Sequence, residues 1–166
     1  AGTVDKLTFA LRKFGDQQIH SMLEFDGHFD DKAITKAVRL ILDAEPVLGS
    51  KFIIHPKKPY WQRRNDLNEL DYCSIVKTKN LKKDLFEFVV SPCDPVKDLP
   101  VQIRIFRQEK NDLFCLKTSH AVMDGGSIIE YVIKLGDFYR ALLKDPNFSV
   151  EPNITGDRDL KQVLKR

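Results

Sequence analysis

From Gln18 to Phe25 apolar and polar positions partly alternate, and the run ends at Asp26-Gly27, a turn pair; this predicts a strand. Beyond it Ile34, Ala37, Val38, Ile41 and Leu42 recur at helical spacing and predict one apolar stripe on a helix over residues 30–44. Asp30 or Asp31 caps its start, because a carboxylate accepts hydrogen bonds from the free N–H groups of a first turn. Pro46 stops it, since proline excludes the helical conformation from the residue before it. Residues 50–55 read as a second strand, bounded by Pro56 and Pro59. Tyr60 to Arg64 is aromatic and basic without a clear period, Cys73 to Val76 reads as a short strand, and Leu85 to Val90 as a better one.

After a loop holding Pro92, Pro95 and Pro100, the pattern predicts a hairpin. Val101, Ile103 and Ile105 face one way, while Gln102, Arg104 and Phe106 face the other. Gln108 to Asp112 makes the turn, and the apolar run Leu113 to Ser119 suits a central strand. A long helix over residues 127–144 follows, with Ile128, Ile129, Val132, Ile133, Leu135, Phe138, Leu142 and Leu143 as a broad apolar face and Pro146 past its end. The segment from Phe148 to Thr155 reads as extended, and Asp157 to Arg166 as the start of a further short helix. These elements predict an α/β two-layer sandwich with a mixed, mostly antiparallel sheet and packed helices.

Composition narrows the class without naming it. With 42% hydrophobic and 31% charged residues in 166, disorder and coiled coil are excluded for the bulk of the chain. The apolar runs fall short of the roughly 20 residues of a membrane helix, so no membrane span is expected. Cys73, Cys93 and Cys115 are odd in number and form no CxxC pair, which fits a reduced, cytoplasmic setting better than a disulfide framework. A net charge of +3 gives no reason to expect nucleic acid. The acid-free basic stretches Lys51–Arg64 and Lys77–Lys83 read as solvated surface, or as a field that draws an anionic substrate.

One constellation carries chemistry. His120 falls at the end of the central strand, Asp124 follows four residues later, and Gly125, Gly126 and Ser127 lead into the long helix. A neutral imidazole is the natural base near neutral pH, able to take a proton from a hydroxyl, amine or thiol that attacks a carbonyl. The glycines allow conformations and approaches that a Cβ forbids, and Asp124 is expected to pair with Arg104, or second with Arg107. On residue types alone a satisfied strand-end histidine and a capped turn explain the same pattern. A metal reading, His120 with Asp124 or His20 with His28, offers two ligands and lacks a third.

His120-Ala121-Val122-Met123-Asp124-Gly125 resembles the HxxxDG core of the CoA-dependent acyltransferase and condensation-domain superfamily, which includes chloramphenicol acetyltransferase. The strand ending Leu23-Glu24-Phe25-Asp26-Gly27, the next helix, and Glu45 to Phe52, similar to a segment of the type hPxLrxxF, match its opening. The resemblance runs from about Gln18 to about Lys144. It implies His120 as general base and Asp124, Gly125 and Arg104 as structural residues of the site. Gly125 would keep the acyl-donor tunnel open, and Ser119, Gly126 and Ser127 would border the substrates. It implies no metal and no permanently bound cofactor; the co-substrate is an acyl-CoA or phosphopantetheine thioester, and the acceptor is a small molecule bearing an alcohol or amine. Most members have two lobes, so residues 1–150 are expected to be one N-terminal lobe. Residues 151–166 would be a tail or the start of a linker to a missing C-terminal lobe, with a carrier protein as a further partner. Chloramphenicol acetyltransferase, a single-lobe exception, builds its site between subunits of a trimer. The alternative reading is a non-catalytic carrier-protein docking or assembly module of the same fold.

Overall fold

The computed structural model describes residues 1–15 and 17–153, so the helix expected from Asp157 onward lies outside the described residues. Among these residues six strands and four α-helices run in the order α1 (Thr3–Leu11), β1 (Gln18–Asp26), α2 (Asp31–Ala44), β2 (Ser50–Ile53), β3 (Tyr60–Arg63), β4 (Cys73–Lys77), α3 (Leu81–Val90), β5 (Val101–Arg107), β6 (Asn111–Ser119) and α4 (Gly125–Lys144). The main sheet has the order β1-β6-β5-β4. Its β1, β6 and β5 are antiparallel, and β4 runs parallel to β5. The return strand of the hairpin is therefore internal, as its apolar run predicts. Strands β2 and β3 form a separate antiparallel hairpin.

Both faces of the main sheet are covered. Val101, Ile103 and Ile105 with Phe114 and Leu116 meet Ile34, Val38 and Ile41 of α2 and Ile128, Tyr131 and Leu135 of α4 in the larger core. On the other face Phe106 and Cys115 pack under Phe88 of α3. That helix corrects the strand expected over 85–90. Asn80 Oδ1 accepts from Lys83 N–H and caps a helix that begins four residues earlier than the alternating window. Leu81, Leu85, Phe88 and Val89, at helical spacing, face the sheet. The broad face expected on α4 is also narrower than the sequence suggests: Ile129, Ile133 and Leu143 are exposed. Helix α1, unmarked in the pattern, lies on the small hairpin. Phe9 stacks on Phe52 at 4.0 Å, and Trp61 Nε1–H donates to Asp5 at 3.0 Å. The ambiguous 60–64 stretch is β3.

Two helix ends are closed by cations from distant strands. Neither α2 nor α3 has a basic residue in its last turn, where carbonyls lack intrahelical partners. Arg63 of β3 donates to Leu42 O and pairs with Asp43 at the end of α2. Gly49 makes room for it: a Cβ there would lie 2.5 Å from Arg63 Nη1 and 3.1 Å from Leu67 Cδ1. Gly49→Ala is therefore expected to destabilise by about 1–3 kcal/mol, the cost of overpacking. A lowered urea midpoint checks it.

Lys117 of β6 is fully buried and donates to Phe88 O at 2.9 Å, Ser91 O at 3.0 Å and Ser91 Oγ at 2.6 Å, closing the end of α3. Burial pushes its ammonium below the usual lysine value. Between its folded and unfolded values the unfolded chain holds the extra proton, so the stability this group contributes rises with pH. The parent chain is expected to gain on Lys117→Met as pH climbs toward about 10.4, the unfolded lysine value. Parallel urea melts check it, and a difference that stays constant counts against the assignment.

A third tie holds the opposite end of the sheet. Asp112, fully buried, receives Arg107 Nε at 3.1 Å, Arg107 Nη2 at 3.0 Å and Phe29 N–H at 2.9 Å. Arg107 also reaches Asp31 at 2.7 Å, so the start of α2 is fastened to the hairpin. Gly27, at φ 83°, makes the turn between β1 and that junction.

Candidate active site

The end of β6 is fixed before the imidazole is placed. Ser119 N–H and the Thr118 hydroxyl each donate to Pro100 O at 2.9 Å, and His120 N–H donates to Gln17 O at 2.8 Å. Val122 N–H returns to Ser119 O at 3.0 Å, closing a tight turn. Ala121, Val122 and Met123 are buried, while His120, Asp124, Gly125 and Gly126 are exposed. The apolar trio thus pins the loop to the core, and the chemistry-bearing residues stay at the surface.

The ring is oriented by the loop itself. His120 Nδ1 lies 3.0 Å from Met123 O. A carbonyl oxygen only accepts, so Nδ1 carries the hydrogen, and in the neutral ring Nε2 keeps its lone pair. The result is an accessible imidazole locked in the tautomer a proton acceptor needs.

Asp124 pairs with neither Arg104 nor Arg107, which corrects the expectation. Its Oδ1 accepts from Ser127 N–H at 2.8 Å and Ser127 Oγ–H at 2.7 Å, capping α4. The Ser127 N–H first, then its hydroxyl, hold the carboxyl below the usual aspartate range, with a smaller contribution from nearby His120. Arg104 lies on the α3 face of the sheet, where Nε donates to Ser74 Oγ at 3.1 Å and the guanidinium sits 4.6 Å from the Phe88 ring centre. Arg107, the second candidate, is committed to Asp112 and Asp31. Ser127 is accordingly the third residue of the helix, not its cap. Ser119 is buried, its Oγ accepting from Ala121 N–H at 3.3 Å.

Backbone conformation does not require glycine at positions 125 and 126. Neither has a positive φ, and a Cβ on Gly125 would meet nothing within 4 Å. The first turn of α4 therefore offers open space beside the capped aspartate. The residue missed from sequence is Met123, whose part is played by a main-chain carbonyl; no side-chain pattern marks it. His20 and His28 stand at opposite ends of the β1 segment, and no metal-type cluster of histidine, cysteine or acids exists among the described residues. No helix among them is long and apolar enough to cross a membrane. The three cysteines are free thiols, and burial pushes Cys73 up to about 12 and Cys115 up to about 11.

The mixed, mostly antiparallel sheet with its packed helices has the fold of condensation domains, the chloramphenicol acetyltransferase-like fold. The chain resembles the epimerization domain from the third module of tyrocidine synthetase B, with a TM-score of 0.76 and 18% identity over 99% of this chain and 40% of that one. It also resembles the first condensation domain of the calcium-dependent antibiotic synthetase in complex with a substrate analogue, with a TM-score of 0.74 and 18% identity over 95% and 40% of the two chains. A third similar structure is the X-domain in its complex with OxyB from teicoplanin biosynthesis, with a TM-score of 0.71 and 16% identity over 85% and 32%. The chain spans less than half the length of these relatives. No protein-family model matches it, and no curated protein matches it in sequence.

Proposed function

We propose that this chain is the N-terminal lobe of a condensation-type acyltransferase, with His120 as general base. One observation carries the reading: the bond from Nδ1 to Met123 O leaves Nε2 as an accessible proton acceptor. In the proposed step Nε2 takes the proton from an acceptor amine or alcohol as its nitrogen or oxygen attacks a thioester carbonyl. The carbon–sulfur bond then breaks, and the departing thiolate recovers that proton from the imidazolium. The donor is an acyl group on CoA or on the phosphopantetheine arm of a carrier protein, and the acceptor binds between this lobe and a second one. Asp124 keeps the loop in place by capping α4, and Gly125 leaves room for the donor.

The test is acceptor-dependent release of free thiol from an acyl thioester by the complete two-lobed protein. Gly125→Trp is expected to keep the thermal midpoint and lower kcat/KM by about 10²-fold, the scale of a misplaced reactant. Unchanged kinetics in that variant would remove Gly125 from the donor path. Absence of any acceptor-dependent release from the complete protein would overturn the transferase reading.

A second reading is a docking or assembly module in which the histidine and aspartate serve architecture. The X-domain solved with OxyB favours it, because there the fold is seen engaged with another protein. The epimerization domain adds that this fold alone does not choose the reaction.

A further inference from the structure

We infer that helix α1 seats this chain on an anionic lipid surface, with Leu7, Leu11 and Phe14 entering the boundary between headgroups and acyl chains and Lys6 and Lys13 meeting the headgroup phosphates. The helix has two unlike sides. Asp5 and Phe9 turn inward, to Trp61 and Phe52 of the small hairpin. Leu7, by contrast, is 60% exposed, Leu11 41% and Phe14 87%. Phe14 N–H donates to Leu11 O at 2.8 Å, so the winding continues past the end of the helix. The three side chains, spaced by four and then three residues, thus form one outward stripe. Large apolar side chains gathered on one exposed ridge mark a surface made to be covered.

The charges around the stripe select what covers it. Lys6 and Lys13, seven residues apart, share one rim, and Arg12 stands on the other, its guanidinium 3.5 Å from the centre of the Phe9 ring. Residues 1–17 and 50–64, which hold α1 and the hairpin beneath it, contain eight of the 27 lysines and arginines but two of the 24 acids. The rest of the chain has more acids than cations. Arg63 and Arg64 are tied to Asp43 and Asp66, whereas Lys6, Lys13, Lys57 and Lys58 are exposed and form no ion pair among the described residues. The field of the molecule therefore turns this end toward negative charge.

A second copy laid stripe to stripe would set cation against cation along both rims, which opposes association. A protein partner would need a trough cut to fit a ridge whose last ring, Phe14, stands almost wholly in water. A bilayer needs no matching shape. Apolar side chains sink about 5–10 Å into its interface, while the long stems of lysines let their ammonium groups reach back to the phosphates. Nine helical residues are too few to cross the hydrocarbon core, so the helix lies in the plane of the interface.

Co-sedimentation with sucrose-loaded vesicles tests the inference on the 166-residue chain. Phosphatidylcholine vesicles with about 30% phosphatidylserine are expected to bind it at least about tenfold more tightly than phosphatidylcholine alone, because anionic lipid attracts each nearby cation. That preference is expected to shrink in about 0.5 M salt, where screening shortens the reach of these charges. Leu7→Ser with Phe14→Ser, and separately Lys6→Glu with Lys13→Glu, are each expected to weaken binding by at least about tenfold. All four side chains are exposed, so circular dichroism is expected to report an unchanged fold. Equal binding to neutral and anionic vesicles, no binding at about 1 mM lipid, or binding indifferent to either pair of substitutions would each overturn it. So would capture by polyglutamate in place of vesicles, a dimer that dissolves on Phe14→Ser, or vesicle binding that is lost in the complete protein; these would give the stripe to an acidic protein, a second copy or another part of the same molecule.

Discussion

Under the proposed base role, His120→Ala in the complete protein is expected to lower turnover by about 10²–10⁴-fold, the usual contribution of one positioned base. The chain itself is expected to remain folded. The ring is exposed and its hydrogen bond is to a carbonyl in its own loop, while the loop is held by Ala121, Val122 and Met123 and by main-chain bonds to Pro100 and Gln17. Thiol release in the presence of acceptor measures the effect, and the thermal midpoint supplies the control. Turnover that survives the substitution would move His120 from catalysis to architecture. His120→Gln sharpens the comparison, because its amide can meet Met123 O but offers no basic nitrogen.

Asp112→Ala is expected to cost about 3–5 kcal/mol of folding free energy, the largest loss we expect from a single change away from the site. Three donors converge on that carboxylate, and the Arg107 side chain is only 15% exposed, so alanine strands a charge with little water to replace its partner. The exposed Asp31 remains as its one carboxylate partner, with Phe29 O as a neutral acceptor at 3.0 Å. Asp112→Asn still offers an oxygen to Phe29 N–H and is expected to lose less. Urea midpoints at unchanged slope measure both. Equal losses in the two variants would mean that the charge on Asp112 contributes little.

The elements legible in the sequence were those whose period fills a long window. Helix α2 shows five apolar positions on one stripe, β5 alternates, and β6 carries the apolar run of an internal strand. Helix α3 was misread because six residues, Leu85 to Val90, hold too few turns to separate a period of two from one of 3.6. The deciding residue was Asn80, outside that window. Helix α1 rests on Phe9 against Phe52 and Asp5 against Trp61, contacts 43 and 56 residues apart that no local pattern encodes.

In the site, the histidine stood out through its resemblance to a known motif, and its exposure followed from the buried Ala-Val-Met run beside it. The expected arginine partner failed for a reason the alternation already contained. Arg104 shares a face with Phe106, which packs under α3, whereas Arg107 falls opposite Asp112 in the hairpin register. Counting across the turn would have paired those two. The oxygen that orients the imidazole belongs to the main chain, so residue types say nothing of it.

The cations at the ends of α2 and α3 bear on how the chain comes together during synthesis. Arg63 emerges 21 residues after the carbonyl it serves, and Lys117 emerges 26 residues after Ser91. Each helix therefore leaves the ribosome with an open end and is finished by a strand still to come. A chain halted before Lys117 would carry a frayed α3 and an incomplete β6, so this fold acquires its order late and nearly all at once.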